Sequence, residues 1–314
     1  MRHVAREPWF VTAVALAALL GAAGLRYDGF LGASLLVNLL DDGAMLGFAA
    51  LGAMLVISSG GIDLSPGAVM ALSSVVIAAA IGAGLPPLAA FALACACGTG
   101  LGALSGALID VLALPPFIVT LAVMFLARGA ALAIHVESLP IQAPAWQPWS
   151  RVELPVLGLD LAAVIWLLAT GAVLFASRHA RWMRHALALG GDQRTAAYFG
   201  VPVRRTRVAV YALGGLCSGA AGVAYTLYSS KGDSTAGVGM ELDAIAAAVI
   251  GGTALRGGSA SVAGAFLGVV LLGVLQTILV YEGVPGAGWT RVVLGALLLA
   301  FVVVRRALEA RASR

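Results

Sequence analysis

Residues 43–82 read GAMLGFAALGAMLVISSGGIDLSPGAVMALSSVVIAAAIG. Two apolar runs, 43–59 and 66–82, are each close to the roughly 20 residues that a helix needs to cross a bilayer. A polar break, Ser58 to Gly67, separates them. The runs are continuous rather than ten-residue alternations, which speaks for helices and against a transmembrane barrel. The rest of the chain repeats the pattern. Of 314 residues, 61% are hydrophobic and 11% charged, against roughly 45–50% and about 25% in soluble domains. That composition excludes a soluble globule, a disordered chain and a disulfide-stapled domain.

The expected fold is all-α: a polytopic transmembrane helical bundle forming one domain over 1–314. Ten apolar segments stand out, at 9–25, 43–59, 66–82, 86–108, 116–134, 157–176, 207–228, 242–255, 260–281 and 288–304. The first resembles a signal peptide and is read as an uncleaved span. The eighth is too short for a plain span, so it is tilted, broken or buried in protein. Ten spans put both termini on one side. Arginines mark that side as cytoplasmic: Arg2, Arg6, seven between Arg178 and Arg207, Arg256 and the four from Arg305 onward. The opposite side carries only Arg26, Arg151, Lys231 and Arg291, and Arg128 falls inside the fifth span. A formal net charge of +4 is thus placed by topology. No aromatic-interleaved basic stripe points to nucleic acid.

Forty glycines are a packing device, because small residues let helix backbones approach within a membrane. Gly98, Gly102 and Gly106 share one helical face, and Gly43/Gly47, Gly215/Gly219 and Gly264/Gly268 repeat the spacing. In the first break, Ser65 and Pro66 form an N-cap and first-turn proline, with Asp63 near the positive end of the helix dipole. The break is either a tight capped turn or a broken-helix element lining a polar cavity. Pro115 and Pro116 separate spans four and five, and Phe117, Thr120 and Met124 follow on one face. Glu241 and Asp243 open the eighth span, where acids stabilise a helix start or mark a functional site. Arg128 either snorkels to the outer interface or pairs with an acid. The loop 135–156 carries Trp146 and Trp149, which suit a headgroup-level belt.

Chemistry of other kinds is absent from the sequence. The one lysine, Lys231, is followed by glycine, so no Walker A loop exists. Cys95, Cys97 and Cys217 lie in apolar runs without histidine or cysteine at metal-ligand spacing. No catalytic motif, metal site or cofactor site is expected. The cytoplasmic loop, about 177–206, is the most distinctive stretch. Asp192 can cap a short helix through Phe199, Gly200 closes it, and Pro202 prevents continuation. It is either an ordinary basic loop or a rigid knob that docks a partner.

The chain resembles the permease subunits of bacterial ABC sugar importers of the ribose, arabinose and galactose type. The likeness rests on Gly60-Gly-Ile-Asp-Leu-Ser65, Leu114-Pro-Pro-Phe-Ile-Val-Thr-Leu121 with Arg128-Gly129, Gly190-Gly-Asp-Gln-Arg-Thr-Ala-Ala197 with Gly200, and Glu241-Leu-Asp-Ala-Ile-Ala-Ala-Ala-Val-Ile-Gly-Gly-Thr253 with Gly257-Gly258. It runs from about residue 30 to 304 in order. Within the family it is most similar to the galactofuranose permease, through Ile109-Asp110, Glu137-Ser-Leu-Pro-Ile141, Gly237-Val-Gly-Met-Glu-Leu-Asp243 and Gln276-Thr277. The family usually has Asn where Asp192 and Gln193 stand, and often Val at Pro66.

The resemblance implies a multi-pass protein of the bacterial inner membrane that pairs with a second permease subunit. It implies separate ABC ATPase subunits and a periplasmic sugar-binding protein as partners. The coupling helix that meets the ATPase would lie from Asp192 to Gly200, with Asp192, Gln193, Arg194, Ala197 and Gly200 as its candidate residues. An uncharged sugar needs hydroxyl-matching groups and an aromatic face. Asn38, Phe117, Thr120, Thr253 and Gln276 are candidate pathway residues on that ground, with Asp63 and Glu241 from the breaks. The alternatives are a branched-chain amino-acid or nucleoside permease, an ion-coupled carrier, or a non-transporting membrane subunit.

Overall fold

The computed structural model describes residues 9–149, 153–154, 158–283 and six positions between 289 and 299. The expected tenth span, 288–304, lies largely outside the described residues. What is described is a helical bundle with eleven α-helices: α1 (Phe10–Arg26), α2 (Ala33–Ser58), α3 (Pro66–Gly82), α4 (Pro87–Val111), α5 (Pro116–Ile134), α6 (Leu161–His179), α7 (Arg181–Gly191), α8 (Gln193–Tyr198), α9 (Val203–Ser229), α10 (Met240–Ile250) and α11 (Val262–Tyr281). Six of them, α2, α4, α5, α6, α9 and α11, are long and apolar enough to cross a membrane. This is a helical membrane protein.

Prolines at the first helical position start α3, α4 and α5. Their missing N–H is one that no helix could satisfy there. The segments expected at 66–82 and 116–134 accordingly appear with those bounds. The second span is a correction: α2 begins at 33, ten residues before the apolar run. Its first turns carry Ser34, Asn38, Asp41 and Asp42, a polar sequence that reads as a loop but folds as helix.

α2 is the hub, packed by α9, α10, α11 and α6. The most extensive contact is α4 against α9. The glycine face of α4 makes it: a side chain at Gly98 or Gly102 would run into the backbone at Gly215 or Tyr211. The expected glycine-mediated packing is therefore present, and α4 and α9 meet backbone to backbone. At the other edge, α1 lies against α11. The buried Thr12 hydroxyl donates to the carbonyl of Ile250 at 2.5 Å. At the far end of α1, Arg26 pairs with Glu282 at 2.8 Å.

Two short antiparallel ribbons complete the fold. β1 (Leu139–Pro140) pairs with β4 (Lys231–Gly232), and β2 (Glu153–Leu154) with β3 (Leu159–Asp160). Trp146 is buried, and it and Trp149 meet Phe91 of α4 edge-on, with centroids 6.1 and 5.5 Å away. The Trp146 ring therefore packs against α4 rather than standing exposed.

Candidate functional site: a polar groove and a capped surface helix

The short eighth segment folds as one short, largely buried helix, α10. α10 has eleven residues, about 16 Å of helix. Ahead of it, β4 and the irregular chain at 233–239 run beside α3: Gly232 lies against Ser74, Val75 and Ala78, and Gly237 against Gly67 and Met70. Non-helical backbone inside a membrane protein must have its polar groups satisfied by protein. Arg128, on α5, does much of this. Its guanidinium donates to the carbonyls of Ser234 and Ala236 at 2.6 and 2.7 Å. The Ser74 hydroxyl accepts from the Asp233 N–H at 3.1 Å, and the Ser234 hydroxyl donates to the Val136 carbonyl at 2.9 Å. Among the described residues Arg128 forms no ion pair; it caps carbonyls of the irregular segment.

Beside this segment lies a cavity of about 630 Å³ between α2, α10 and α11. Ser34, Asn38 and Asp42, four residues apart on one face of α2, line it together with Asp243 of α10 and Gln276 and Thr277 of α11. Asn38, Asp42 and Gln276 are exposed. Phe30 and Tyr281 form its aromatic end, with ring centroids 5.4 Å apart. Arginine and lysine are absent from its lining among the described residues.

A second cavity, of about 570 Å³, opens at the other end of the bundle. The ends of α2, α4 and α7 and the starts of α5 and α9 surround it. Gly190 is wedged there between the Ser58 carbonyl and the Gly258 N–H, and that N–H itself donates to Ser58 at 3.0 Å. α8 stands at its rim. Asp192 caps this helix as expected: its carboxylate accepts from the Thr195 N–H at 2.6 Å. That bond, with the Thr195 hydroxyl, holds the Asp192 carboxyl below its usual range. Gly200 follows with φ +81°, the left-handed conformation that glycine adopts without cost. Ala196 is buried, whereas Tyr198 and Phe199 are 91% and 84% exposed. Two aromatic rings therefore stand exposed at the end of α8 among the described residues.

The pathway candidates divide among these places. Asn38 and Gln276 both line the first cavity. Glu241 accepts from the Gly239 N–H at 3.3 Å and stays at the α10 start. Thr120 donates to the carbonyl of Pro116 at 3.0 Å and faces that of Ile62 at 3.4 Å, and Phe117 is exposed on the same helix end. Asp63 is buried, accepting from the N–H and hydroxyl of Ser65 at 2.8 and 2.7 Å. Ser65 is consequently the donor to Asp63 and caps no backbone N–H of α3, a correction to the expected cap. Thr253 is fully buried with an unpartnered hydroxyl. Asp42 and Ser34 are cavity residues that the sequence reading passed over, because they lie before the apolar run. Their four-residue spacing with Asn38 was the available signal.

A membrane bundle with a polar groove in one half and a capped, aromatic-tipped helix projecting from the other has the build of a transport permease. Residues 35–302 match the family described as branched-chain amino acid transport system / permease component, and the chain belongs to that family. It is similar to the inner membrane ABC transporter permease protein YjfF of Escherichia coli K12, with 38% identity over 90% of this chain and 87% of that one. It is 36% identical to the fructose import permease protein FruG of Bifidobacterium longum, over 87% of this chain and 83% of the relative. It is also 36% identical to the ribose import permease protein RbsC of Bacillus subtilis, over 86% and 84%. No solved structure matches. The chain is a multi-pass permease subunit of an inner-membrane ABC transporter.

Proposed function

We propose that this chain imports a monosaccharide across the bacterial inner membrane. The sugar passes along the outer groove, between this chain and a second permease subunit. Separate ATPase subunits dock on α8, and a periplasmic binding protein delivers the sugar. The observation that carries the reading is the chemistry of the groove. Exposed Asn38, Asp42 and Gln276 cannot face lipid, where one acid at mid-bilayer costs about 2.5–3.5 kcal/mol. They need a water-filled space, and a paired subunit encloses one. Amides, hydroxyls, two carboxylates and the Tyr281 ring suit a neutral polyol, whose hydroxyls both donate and accept. A free amino acid would bring its carboxylate toward Asp42 and Asp243, with no cation among the described lining residues to meet it, so the amino-acid reading is disfavoured. Relatives named for ribose, fructose and allose import support the same choice. Galactofuranose is the sugar put first here, on the likeness quoted above.

The topology that goes with this reading has ten spans and both termini in the cytoplasm. It puts α8, the second cavity and the arginines between Arg178 and Arg207 inside. Alternating access follows: ATP binding draws two α8 knobs together, and the groove changes the side to which it opens.

The test is uptake of labelled galactofuranose, ribose, fructose and allose by membranes holding this chain with its ATPase and binding protein. Uptake of one of them, abolished by Gly200→Trp while ATP hydrolysis continues, is the expected result. Position 200 has open space for a ring but a strained φ for it. Uptake by this chain without any ATPase refutes the proposal.

A further inference from the structure

Arg207 lies one turn into α9 and makes two bonds with different destinations. Its Nη1 meets Asp110 Oδ1, at the end of α4, at 2.6 Å. Its Nη2 donates to Gln193 Oε1, the first residue of α8, at 2.7 Å. The ion pair is largely shielded, with side-chain exposures of 16% and 17%. A guanidinium holds a planar fork, so both bonds are available to one side chain in one geometry. Among the described residues α8 packs mainly on α7 and, lightly, on α9. α4 and α9 meet backbone to backbone through Gly98, Gly102 and Gly106. One side chain therefore joins a six-residue surface helix to the most closely packed helix pair in the bundle.

We infer that Arg207 is a positioning residue that ties α8 to the α4–α9 pair, so that displacement of α8 moves those two helices together. The inference rests on the proposal that α8 is where the ATPase acts. The chain has a second tie, in which Gly190 of α7 sits between Ser58 and Gly258. That one leads to the end of α2 and the α10–α11 connection. The two ties reach different groups of helices, and the outer groove lies between α2, α10 and α11. Motion of α4 and α9 reaches the groove through α2, which α9 packs against. Without Arg207, α8 can yield to the ATPase while α4 and α9 stay behind.

The test needs no sugar. Cys95, Cys97 and Cys217 are replaced by Ala, and Ser34, which lines the groove, is replaced by Cys. The chain is assembled in nanodiscs with its ATPase. The rate of reaction with a membrane-impermeant maleimide is then read with and without ATP. In the otherwise unaltered chain, ATP should change the rate about tenfold, the mark of a population shift between open and closed grooves. Arg207→Ala should abolish that change while ATPase binding and hydrolysis persist. Gln193→Ala should also lose the ATP response, although it leaves the Asp110 ion pair whole; because Gln193 lies in the docking helix, its response is read per bound ATPase. Arg207→Lys should also fail, because an ammonium that serves Asp110 cannot fork to Gln193. A purely structural arginine would lower ATPase binding and the ATP response in proportion, and the Gln193 variant would respond normally. A full ATP response in Arg207→Ala and Gln193→Ala overturns the inference and leaves the sugar reading standing. No ATP response in the unaltered chain removes the premise that α8 is the coupling element, and the inference falls with it.

Discussion

A single methyl group at Gly102 should measurably loosen this protein, and the same methyl at Gly100 should not. The two glycines lie two residues apart on α4 and differ only in what faces them. A Cβ at Gly102 would overlap the Tyr211 carbonyl oxygen, with Tyr211 C at 2.9 Å and Gly215 Cα at 3.1 Å. All three are backbone atoms, so no side chain can swing away and the helices must part. Overpacking of this kind costs about 1–3 kcal/mol. The methyl also gains roughly 0.5–1 kcal/mol of helix propensity over glycine. The net loss is then up to about 2.5 kcal/mol, or up to roughly 10 °C at about 2–4 °C per kcal/mol. Gly100 has nothing within 4 Å of its Cβ position, so Gly100→Ala keeps only the propensity gain and should melt at or slightly above the unaltered chain. A fluorogenic maleimide provides the assay, because Cys95 and Cys217 flank this same contact and become reactive when it opens. If Gly102→Ala melts no lower than Gly100→Ala, the account of α4 and α9 as a backbone-to-backbone pair is wrong.

Arg128→Ala should free the irregular segment ahead of α10, since two charge-assisted hydrogen bonds of about 1.5–3 kcal/mol each are lost and water can replace only part of them. A cysteine at Val238 should then react with maleimide several-fold faster than in the unaltered chain, and unchanged reactivity would refute the capping role. Asp192→Ala should release the first turn of α8 and reduce the amount of ATPase that copurifies, whereas Asp192→Ser, which can still accept from the Thr195 N–H, should retain it.

Much of this architecture could be read from the chain, and the failures share a cause. Pro66 and Pro116 mark helix starts chemically, so α3 and α5 appear where the sequence puts them. Asn38, Asp41 and Asp42 are polar, and a hydropathy reading ends a span at polar residues. They belong to α2 because they face a groove or the chain at Asp160, whose N–H donates to Asp41 at 2.9 Å, and no residue of that face needs to be apolar. The cap at Asp192 and the turn at Gly200 were legible because both are local, set by residues three to eight apart. The partition of the seven pathway candidates was not. Asn38 and Gln276 are 238 positions apart and meet only because α2 packs against α11, whereas Asp63 and Thr120 lie at helix ends remote from them. Nothing in a linear pattern tells which end of a bundle a polar residue occupies once its helix is placed. The eighth span was recognisably too short, yet its missing half is irregular chain whose support comes from Arg128, more than a hundred residues away.

The Thr12–Ile250 bond has a consequence for how the molecule is made. The two residues are 238 positions apart. At about 5–20 residues per second, a ribosome takes roughly 12–48 seconds to synthesise that interval. For all of that time the first helix has neither its acceptor nor the surface of α11. Nascent α1 therefore waits at the insertion machinery or in lipid without that acceptor, and any chain released before residue 250 lacks the neighbour that would retain it.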